Sequence, residues 1–150
     1  MIEIRPYQEP DFNRLAEIHD AARRQELEAA SLSCAFVPFA IASKREKLFA
    51  YQVYVAQKDQ KVVGFIAFHE DEIGWLYVDV TRQKEGIGSA LVEVALAHGT
   101  YEMEREVIKG NEQAKRLYKK FGFYVSEVKS GRMPGNESIT LTVDVMKRGA

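Results

Sequence analysis

The chain contains a single cysteine, Cys34, among its 150 residues, so it cannot form an internal disulfide. A chain without disulfides is typical of a reducing compartment, and we expect this protein in the cytoplasm. One interpretation makes Cys34 a catalytic nucleophile. A free cysteine is more often a small buried hydrophobe, and we therefore expect Cys34 to be buried.

The chain also has little net charge and no long apolar run. Its formal net charge of −1 and its pI near 6.3 exclude the electrostatic basis for general nucleic-acid binding. No stretch approaches the roughly 18–20 apolar residues that span a membrane, and the N-terminal residues lack the pattern of a signal peptide. His19 and His98 have no partner at metal-ligand spacing, so we expect no metal site. Neither nucleic-acid nor membrane partners are predicted.

The composition is that of an ordinary globular protein, with 46% hydrophobic and 29% charged residues. We expect one domain over residues 1–150, because no repeat, low-complexity tract or linker divides the chain. Hydrophobic periodicity predicts strands at residues 2–5, 52–57, 61–69, 72–80, 101–108, 123–129 and 138–146. It predicts helices from residue 12 onward and at residues 44–51, 86–98 and 111–121.

This order, β-α-α-β-β-β-α-β-α-β-β, predicts an α/β fold of the mixed kind. We expect a mainly antiparallel sheet of six to seven strands, flanked by about four helices. The three closely spaced strands between residues 52 and 80 would form antiparallel hairpins.

A glycine-containing turn at residues 83–89, Gln-Lys-Glu-Gly-Ile-Gly-Ser, joins the third of these strands to the next helix. Backbone N–H groups that begin a helix lack intrahelical partners and lie at the positive end of its dipole, so the turn predicts a phosphate or diphosphate ligand. A Rossmann dinucleotide site would need a third small residue where the chain has Leu91. The lysine and Ser/Thr pattern of a Walker loop is absent as well.

Residues 111–123, Asn-Glu-Gln-Ala-Lys-Arg-Leu-Tyr-Lys-Lys-Phe-Gly-Phe, join an N-cap asparagine to a helix that ends at glycine. The predicted apolar face consists of Ala114, Leu117, Tyr118 and Phe121. Together with Leu76-x-Val78 and Gln83-x-x-Gly86-x-Gly88, this Asn-x-x-Ala-x-x-x-Tyr-x-x-x-Gly-Phe pattern resembles the GNAT N-acetyltransferase superfamily. Through the strand order, the resemblance extends over essentially the whole chain.

The resemblance implies that acetyl-CoA binds in an opening between the strand of Val78 and the strand at residues 101–108. A β-bulge in the first strand would free backbone groups, and the Val78 N–H would polarise the thioester carbonyl. Val80 would bond the pantetheine arm through its backbone, with Asn111 on the other side. The remaining implied contacts wrap the diphosphate or lie close to the cofactor: Gln83, Lys84, Glu85, Gly86, Ile87, Gly88, Ser89, Ala114 and Tyr118.

Two positions depart from the family pattern. Val80 replaces a common proline, a change that we expect to keep the strand. Lys84-Glu85 replaces the more usual Gly-Lys or Gly-Arg pair and places an acid near the phosphates. Because the backbone does most of the binding, we expect at most a weaker affinity.

The implied reaction is direct attack of a primary amine on acetyl-CoA. Tyr118 matches the family's general-acid tyrosine, whose phenol, with a pKa of about 10, suits protonation of a thiolate. Packing against the sheet is its alternative role. Glu72 is the predicted general base, with Glu70, His69 and Glu106 as rivals and ordered water as a further alternative. The hairpin tip that carries three of these residues is otherwise a solvated turn.

The acceptor would be a small amine or a protein amine. Residues 34–39 would either roof an acceptor pocket or plug the sheet, and residues 132–137 would either reach the acceptor or merely turn the chain. Arg23 and Arg24 read most simply as a solvated helix face. The alternative function is a non-catalytic acyl-CoA-binding or regulatory domain of the same fold. Relatives often pair through sheet edges, so a homodimer is one further expectation.

Overall fold

The computed structural model describes residues 1–133 and 136–149. Within these ranges, seven strands form one sheet and four α-helices pack on its faces. The strands are β1 (Glu3–Pro6), β2 (Gln52–Lys58), β3 (Lys61–His69), β4 (Glu72–Val78), β5 (Met103–Ile108), β6 (Tyr124–Met133) and β7 (Asn136–Arg148). The helices are α1 (Phe12–Ala29), α2 (Phe39–Arg45), α3 (Ile87–His98) and α4 (Glu112–Lys120).

The strands lie in the order β1-β2-β3-β4-β5-β7-β6. All neighbours pair antiparallel except β4 and β5, which run parallel and pair at Glu72 and Glu104, near the start of each strand. The predicted fold class and order of elements are confirmed. Because the two parallel strands pair only at this end, the sheet opens between their later residues.

Strand β3 lies at the centre of the molecule and is buried on both faces. Phe65 and Ala67 face α1 and α2, whereas Ile66 and Phe68 face α3 and α4. Val63 is an extra residue in the pairing with β2, which makes it a β-bulge. A strand covered on both faces reads as a continuous apolar run, as residues 62–68 do.

The second helix does not lie where the periodicity predicted it. It spans Phe39–Arg45 instead of residues 44–51, and Leu48–Ala50 form only a 3-10 turn. Pro38 is the N-cap residue, and its carbonyl accepts the first helical hydrogen bond, from the Ala42 N–H at 2.9 Å. Lys47 has a φ of 52°, and this left-handed conformation separates the helix from the turn.

Three further boundaries differ from expectation. Strand β4 ends at Val78, and Val80 lies in a 3-10 turn because Asp79 caps that turn by accepting the N–H of Thr81 at 2.9 Å. Strands β6 and β7 continue to Met133 and from Asn136, so residues 130–133 and 136–137, predicted to connect the last two strands, belong to them, and residues 134–135 lie outside the described ranges. Cys34 is exposed, contrary to the expectation that it is buried.

Among the described residues, no helix combines the length and apolar character needed to cross a membrane.

Candidate active site

The turn after β4 presents backbone donors at the beginning of α3. Lys84 and Gly86 have φ values of 66° and 83°, and Gly86 is the N-cap residue. Glycine provides no side chain that could accept an N–H, and the helical ladder starts only with Ala90 N–H on the Gly86 carbonyl at 3.1 Å. The N–H groups of residues 87–89 therefore lie at the positive helix end with no helical acceptor.

The two glycines of this turn are required for different structural reasons. Gly86 has open space where a Cβ would be, so its left-handed backbone is what requires glycine. Gly88 has an ordinary conformation, but a Cβ there would lie 3.3 Å from Leu117 Cδ2. Gly88 thus lets α4 approach the first turn of α3.

The edge of β4 that faces β5 is open near Val78. The Asp79 N–H donates to Val63 O at 2.8 Å, whereas Val78 lies opposite Gly64. Hydrogen-bonded and non-bonded pairs alternate along an antiparallel ladder, so the Val78 N–H points away from β3 and into the opening between β4 and β5. The implied β-bulge of β4 is present, but it lies at Gly74, where Trp75 and Ile73 pair with the consecutive residues Ala67 and Phe68.

These two sets of donors face one cavity of about 920 Å³. Every residue that the resemblance assigned to the cofactor lines it, with the exceptions of Val80 and Glu85: Val78, Gln83, Lys84, Gly86, Ile87, Gly88, Ser89, Asn111, Ala114 and Tyr118. Their contacts with a cofactor remain a prediction. The structure shows that two motifs separated by more than twenty residues line the same opening.

Basic side chains outnumber acidic ones in the lining of this cavity. It contains five basic residues, Arg82, Lys84, Arg105, Arg116 and Lys120, and two acidic ones, Glu26 and Glu112. Glu85 points elsewhere, because its carboxylate pairs with Lys58 at 2.7 Å and lies 3.9 Å from Arg82. Lys58 and Arg82 therefore neutralise Glu85, the acid that the sequence placed near the predicted phosphate site.

Asn111 connects α4 to α1. Its Oδ1 accepts the Ala114 N–H at 3.2 Å, which caps α4, and its Nδ2 donates to Glu26 at 3.1 Å. Glu26 also pairs with Arg23. The predicted pantetheine contact would have to use what remains of the Asn111 amide, since its oxygen and one N–H are already engaged.

Tyr118 is almost completely buried, with 1% of its surface exposed, and its hydroxyl has no hydrogen-bond partner. Its ring packs edge-on against Phe123, so it is a core residue as well as a cavity residue. Burial raises the pKa of Tyr118, while Arg105 acts in the opposite direction. A phenol with this environment is protonated near neutral pH, as a general acid must be.

A second cavity, of about 250 Å³, lies on the α1 and α2 side and shares part of its lining with the first. The shared residues are Glu26, Tyr77, Arg105, Asn111 and Ala114. Glu72, the predicted base, lines this smaller cavity and accepts a hydrogen bond from the Tyr51 hydroxyl at 3.0 Å. Burial and the Glu72 carboxylate raise the pKa of Tyr51 to about 12.

The rival bases differ in whether they line a cavity. Glu106 lines the small cavity, whereas Glu70 and His69 line neither cavity, and the His69 ring stacks on Tyr51 with centroids 3.8 Å apart. Glu46 lines the small cavity although the sequence did not single it out. Burial raises the pKa of Glu46, and this effect is opposed by Arg23 and Arg105.

The segments that the sequence analysis considered for acceptor binding lie in different environments. Phe39 is wholly buried against Phe65 and Trp75, so this end of the loop plugs the sheet, while Val37 lines the small cavity. Arg23 lines that cavity and is not the solvated residue that the sequence suggested, because Glu26 holds it there. Of the predicted stretch 132–137, the two central residues lie outside the described ranges.

Sequence reasoning missed Glu26 and Arg105, although both carried a signal. Met103 and Val107 are buried on the same face of β5 as Arg105, so a charged residue stands on an inward-facing position. Glu26 likewise continues the apolar face of α1 by one turn after Ala22. His19, on that face, is 2% exposed, and burial lowers its pKa, which keeps the ring neutral near pH 7.

Within residues 1–133 and 136–149, no group of three or more His, Cys, Asp or Glu side chains is arranged to hold a metal ion.

Comparisons with known proteins agree with this geometry. A model of the acetyltransferase (GNAT) domain matches residues 50–125, which include β2, β3, β4, the turn and α4. The uncharacterized N-acetyltransferase YafP of Escherichia coli K12 is 31% identical over 127 residues, which is 81% of each chain. The chain therefore belongs to the GNAT family of acetyltransferases.

Solved structures share the fold at lower sequence identity. A GCN5-related N-acetyltransferase from Rhodopseudomonas palustris superposes with a TM-score of 0.78 at 20% identity, covering 99% of this chain and 95% of that one. The putative acetyltransferase yncA from Salmonella typhimurium, solved with its cofactor acetyl-CoA, superposes with a TM-score of 0.66 at 20% identity, covering 97% and 92%. At these identities the likeness establishes the fold.

Proposed function

We propose that this protein is an acetyl-CoA-dependent N-acetyltransferase that acetylates a primary amine by direct attack. One observation carries the proposal: the outward N–H of Val78 and the unpaired N–H groups of residues 87–89 face the same cavity. The first donor suits a thioester carbonyl and the second set suits a diphosphate. Acetyl-CoA carries both groups, and the related yncA structure contains it.

Coenzyme A would lie along this cavity. The diphosphate would lie on the residues that begin α3, with the basic residues Arg82, Lys84, Arg116 and Lys120 offsetting its charge. The pantetheine arm would follow the open edge of β4 past Asn111 and Ala114. The thioester would then lie between the Val78 N–H and the Tyr118 hydroxyl.

The two cavities, which share part of their lining, would divide the reaction between them. The amine would enter through the smaller cavity, where Glu72 accepts a proton from the ammonium ion, directly or through water. This step is required because an alkylamine has a pKa of about 10 and is mostly protonated near pH 7. The Val78 N–H stabilises the oxyanion, and Tyr118 protonates the departing sulfur.

The charges of the small cavity support a cationic acceptor. Four carboxylates line it, Glu26, Glu46, Glu72 and Glu106, against two arginines, Arg23 and Arg105. Because acidic side chains are in excess, an ammonium ion enters more favourably than an acid does. The volume of about 250 Å³ suits an aminoalkyl arm, such as a small amine or a lysine side chain.

The test is acetyl-CoA binding measured by calorimetry together with CoA thiol release in the presence of polyamines, aminoglycosides, amino acids and peptides. We expect binding of acetyl-CoA and thiol release with at least one cationic amine. Binding without release across the whole panel would favour the regulatory acyl-CoA-binding domain. Absence of binding would reject both functions.

A further inference from the structure

Two buried polar groups without partners lie near each other beside the lining that the two cavities share. Arg105 lines both cavities, and Tyr118 lines the larger one. The Arg105 Nε and the Tyr118 hydroxyl are both buried, and neither has a hydrogen-bond partner. The Arg105 Cζ lies 5.9 Å from the centroid of the Tyr118 ring. Leaving such groups unpaired is unfavourable, so their presence here calls for an explanation.

The guanidinium of Arg105 is fixed from the opposite side. Its Nη1 donates to Gly74 O at 2.8 Å and lies 3.4 Å from Ile73 O, at the β-bulge of β4. Arg105 therefore bridges β5 to β4 just beyond the point where their pairing stops at Glu72 and Glu104. A planar guanidinium held at one end has little freedom to turn, so its charge stays near Tyr118.

The charged groups that act on the Tyr118 hydroxyl are Arg105 and, from α1, Glu26. Glu26 is itself paired with Arg23 and bonded to Asn111. Burial and Glu26 both disfavour a negative charge on the phenol, while Arg105 favours it. Among the described residues, Arg105 is thus the cation that makes loss of the Tyr118 proton easier.

We propose that Arg105 is a positioning residue for acyl transfer, which keeps a positive charge beside Tyr118 and stabilises the negative charge formed on its hydroxyl oxygen when the proton leaves. This inference rests on the proposed function. In that step the amine nitrogen bonds to the carbonyl carbon, the C–S bond breaks, and its electron pair goes to sulfur. Sulfur takes the Tyr118 proton, and the phenolate recovers a proton that the amine nitrogen has released to water. Arg105 keeps its charge throughout.

The direct test replaces Tyr118 with 3,5-difluorotyrosine and follows its ionisation by fluorine NMR. Fluorine makes the phenol more acidic, which brings its titration into a pH range where proteins remain folded. Arg105→Gln removes the charge but keeps an amide donor for Gly74 O, and Arg105→Lys keeps the charge. We expect the midpoint to rise by about one pH unit in the Gln variant and to move much less in the Lys variant. An unmoved midpoint in Arg105→Gln would overturn the inference.

Kinetics provide a second readout. We expect Arg105→Gln to lower kcat about tenfold when Tyr118 is present, and less than about twofold in the Tyr118→Phe background, because the two residues act in one step. Equal losses in both backgrounds would show a purely structural role and would overturn the inference. If no amine supports thiol release, the proposed function fails, while the fluorine titration still decides the link between Arg105 and Tyr118.

Discussion

Asn111, the N-cap of α4, and Glu26 on α1 are joined by a hydrogen bond of 3.1 Å, and both residues line both cavities. The same asparagine caps α4, so one side chain fixes the start of a helix and its distance from a second helix. The distance between α4 and α1 thus depends on Asn111, which the sequence identified only as a helix cap and a cofactor contact.

Asn111→Ala removes both interactions, and we expect the free energy of unfolding to fall by about 1 kcal/mol, the usual contribution of an N-cap. Urea denaturation measures it. Asn111→Ser is the matched control, because serine keeps an N-cap oxygen and adds no charge, but lacks the amide N–H that Asn111 donates to Glu26. It should lose less stability while weakening acetyl-CoA binding as the alanine variant does. Equal stability losses in both variants would show that the cap is not the main contribution.

Gly86→Ala should weaken acetyl-CoA binding about tenfold, because alanine disfavours a φ of 83° and the turn must shift its N–H groups. Calorimetry measures the change. Gly122→Ala is the control: its φ is 90°, a Cβ there also meets nothing within 4 Å, and it lines neither cavity.

Both glycine variants should lose about 1 kcal/mol of stability from backbone strain. Only Gly86→Ala should lose affinity. Equal affinities in the two variants would remove this turn from the phosphate site.

The sequence was sufficient for the order of elements because each strand and helix has its own local periodicity. It failed at α2, where the decisive features are Pro38 at the helix start and burial of Phe39 against Trp75. Burial of Phe39 depends on tertiary packing, which a short apolar loop does not reveal. The end of β4 has a local cause, because Asp79, a residue type common at N-caps, caps the turn that follows the strand.

The candidate site could also be predicted only in part. Its backbone N–H donors follow from the two motifs, since helix starts and glycines have local signatures. The charged side chains Glu26, Glu46 and Arg105 do not follow from any motif, because they come from three separate parts of the chain that only the fold brings together. Whether Glu106 faces the cleft or the solvent likewise depends on strand register, which alternation alone leaves undetermined.

Asp11→Asn should destabilise the fold near neutral pH by about 2 kcal/mol, because the Asp11 carboxylate accepts two hydrogen bonds from Arg5, at 2.9 and 3.0 Å. The Arg5 hydrogen bonds hold the pKa of Asp11 below its ordinary value. A lowered pKa contributes stability that is present above the unfolded-state pKa and is lost as the pH falls through the folded-state pKa.

The difference between wild type and Asp11→Asn should therefore shrink below about pH 4. Urea denaturation at several pH values tests this. Asp59→Asn is the control, since Asp59 pairs with Arg82 at the exposed surface and should change stability by less than about 0.5 kcal/mol. A pH-independent loss in Asp11→Asn would contradict the charge-based explanation.

Tyr118→Phe should lower kcat by about 100-fold with little change in acetyl-CoA affinity, because only the transfer of its proton is lost. Its hydroxyl has no partner, so the variant should be as stable as wild type or more so. Tyr54→Phe is the control, since Tyr54 lines neither cavity and its hydroxyl contacts His98. Unchanged turnover in Tyr118→Phe, under conditions where chemistry is limiting, would exclude Tyr118 as the acid.

Glu72→Gln should lower kcat/KM about 100-fold near neutral pH and remove the acid limb of the pH profile, because glutamine cannot accept the ammonium proton. Glutamine still accepts the Tyr51 hydrogen bond, so the cavity wall should stay in place. Glu46→Gln is the matched control, as Glu46 lines the same cavity, and it should change kcat/KM less than about threefold.

The pH–rate profiles of both variants distinguish the alternatives. If Glu46→Gln carries the loss, Glu46 is the base, and its acid limb should lie above the ordinary carboxyl pKa because burial raises the pKa of Glu46. A profile unaltered in both variants would leave ordered water to receive the proton. Since Glu72 and Glu46 both act on the Tyr51 hydroxyl, Tyr51→Phe should shift whichever acid limb remains.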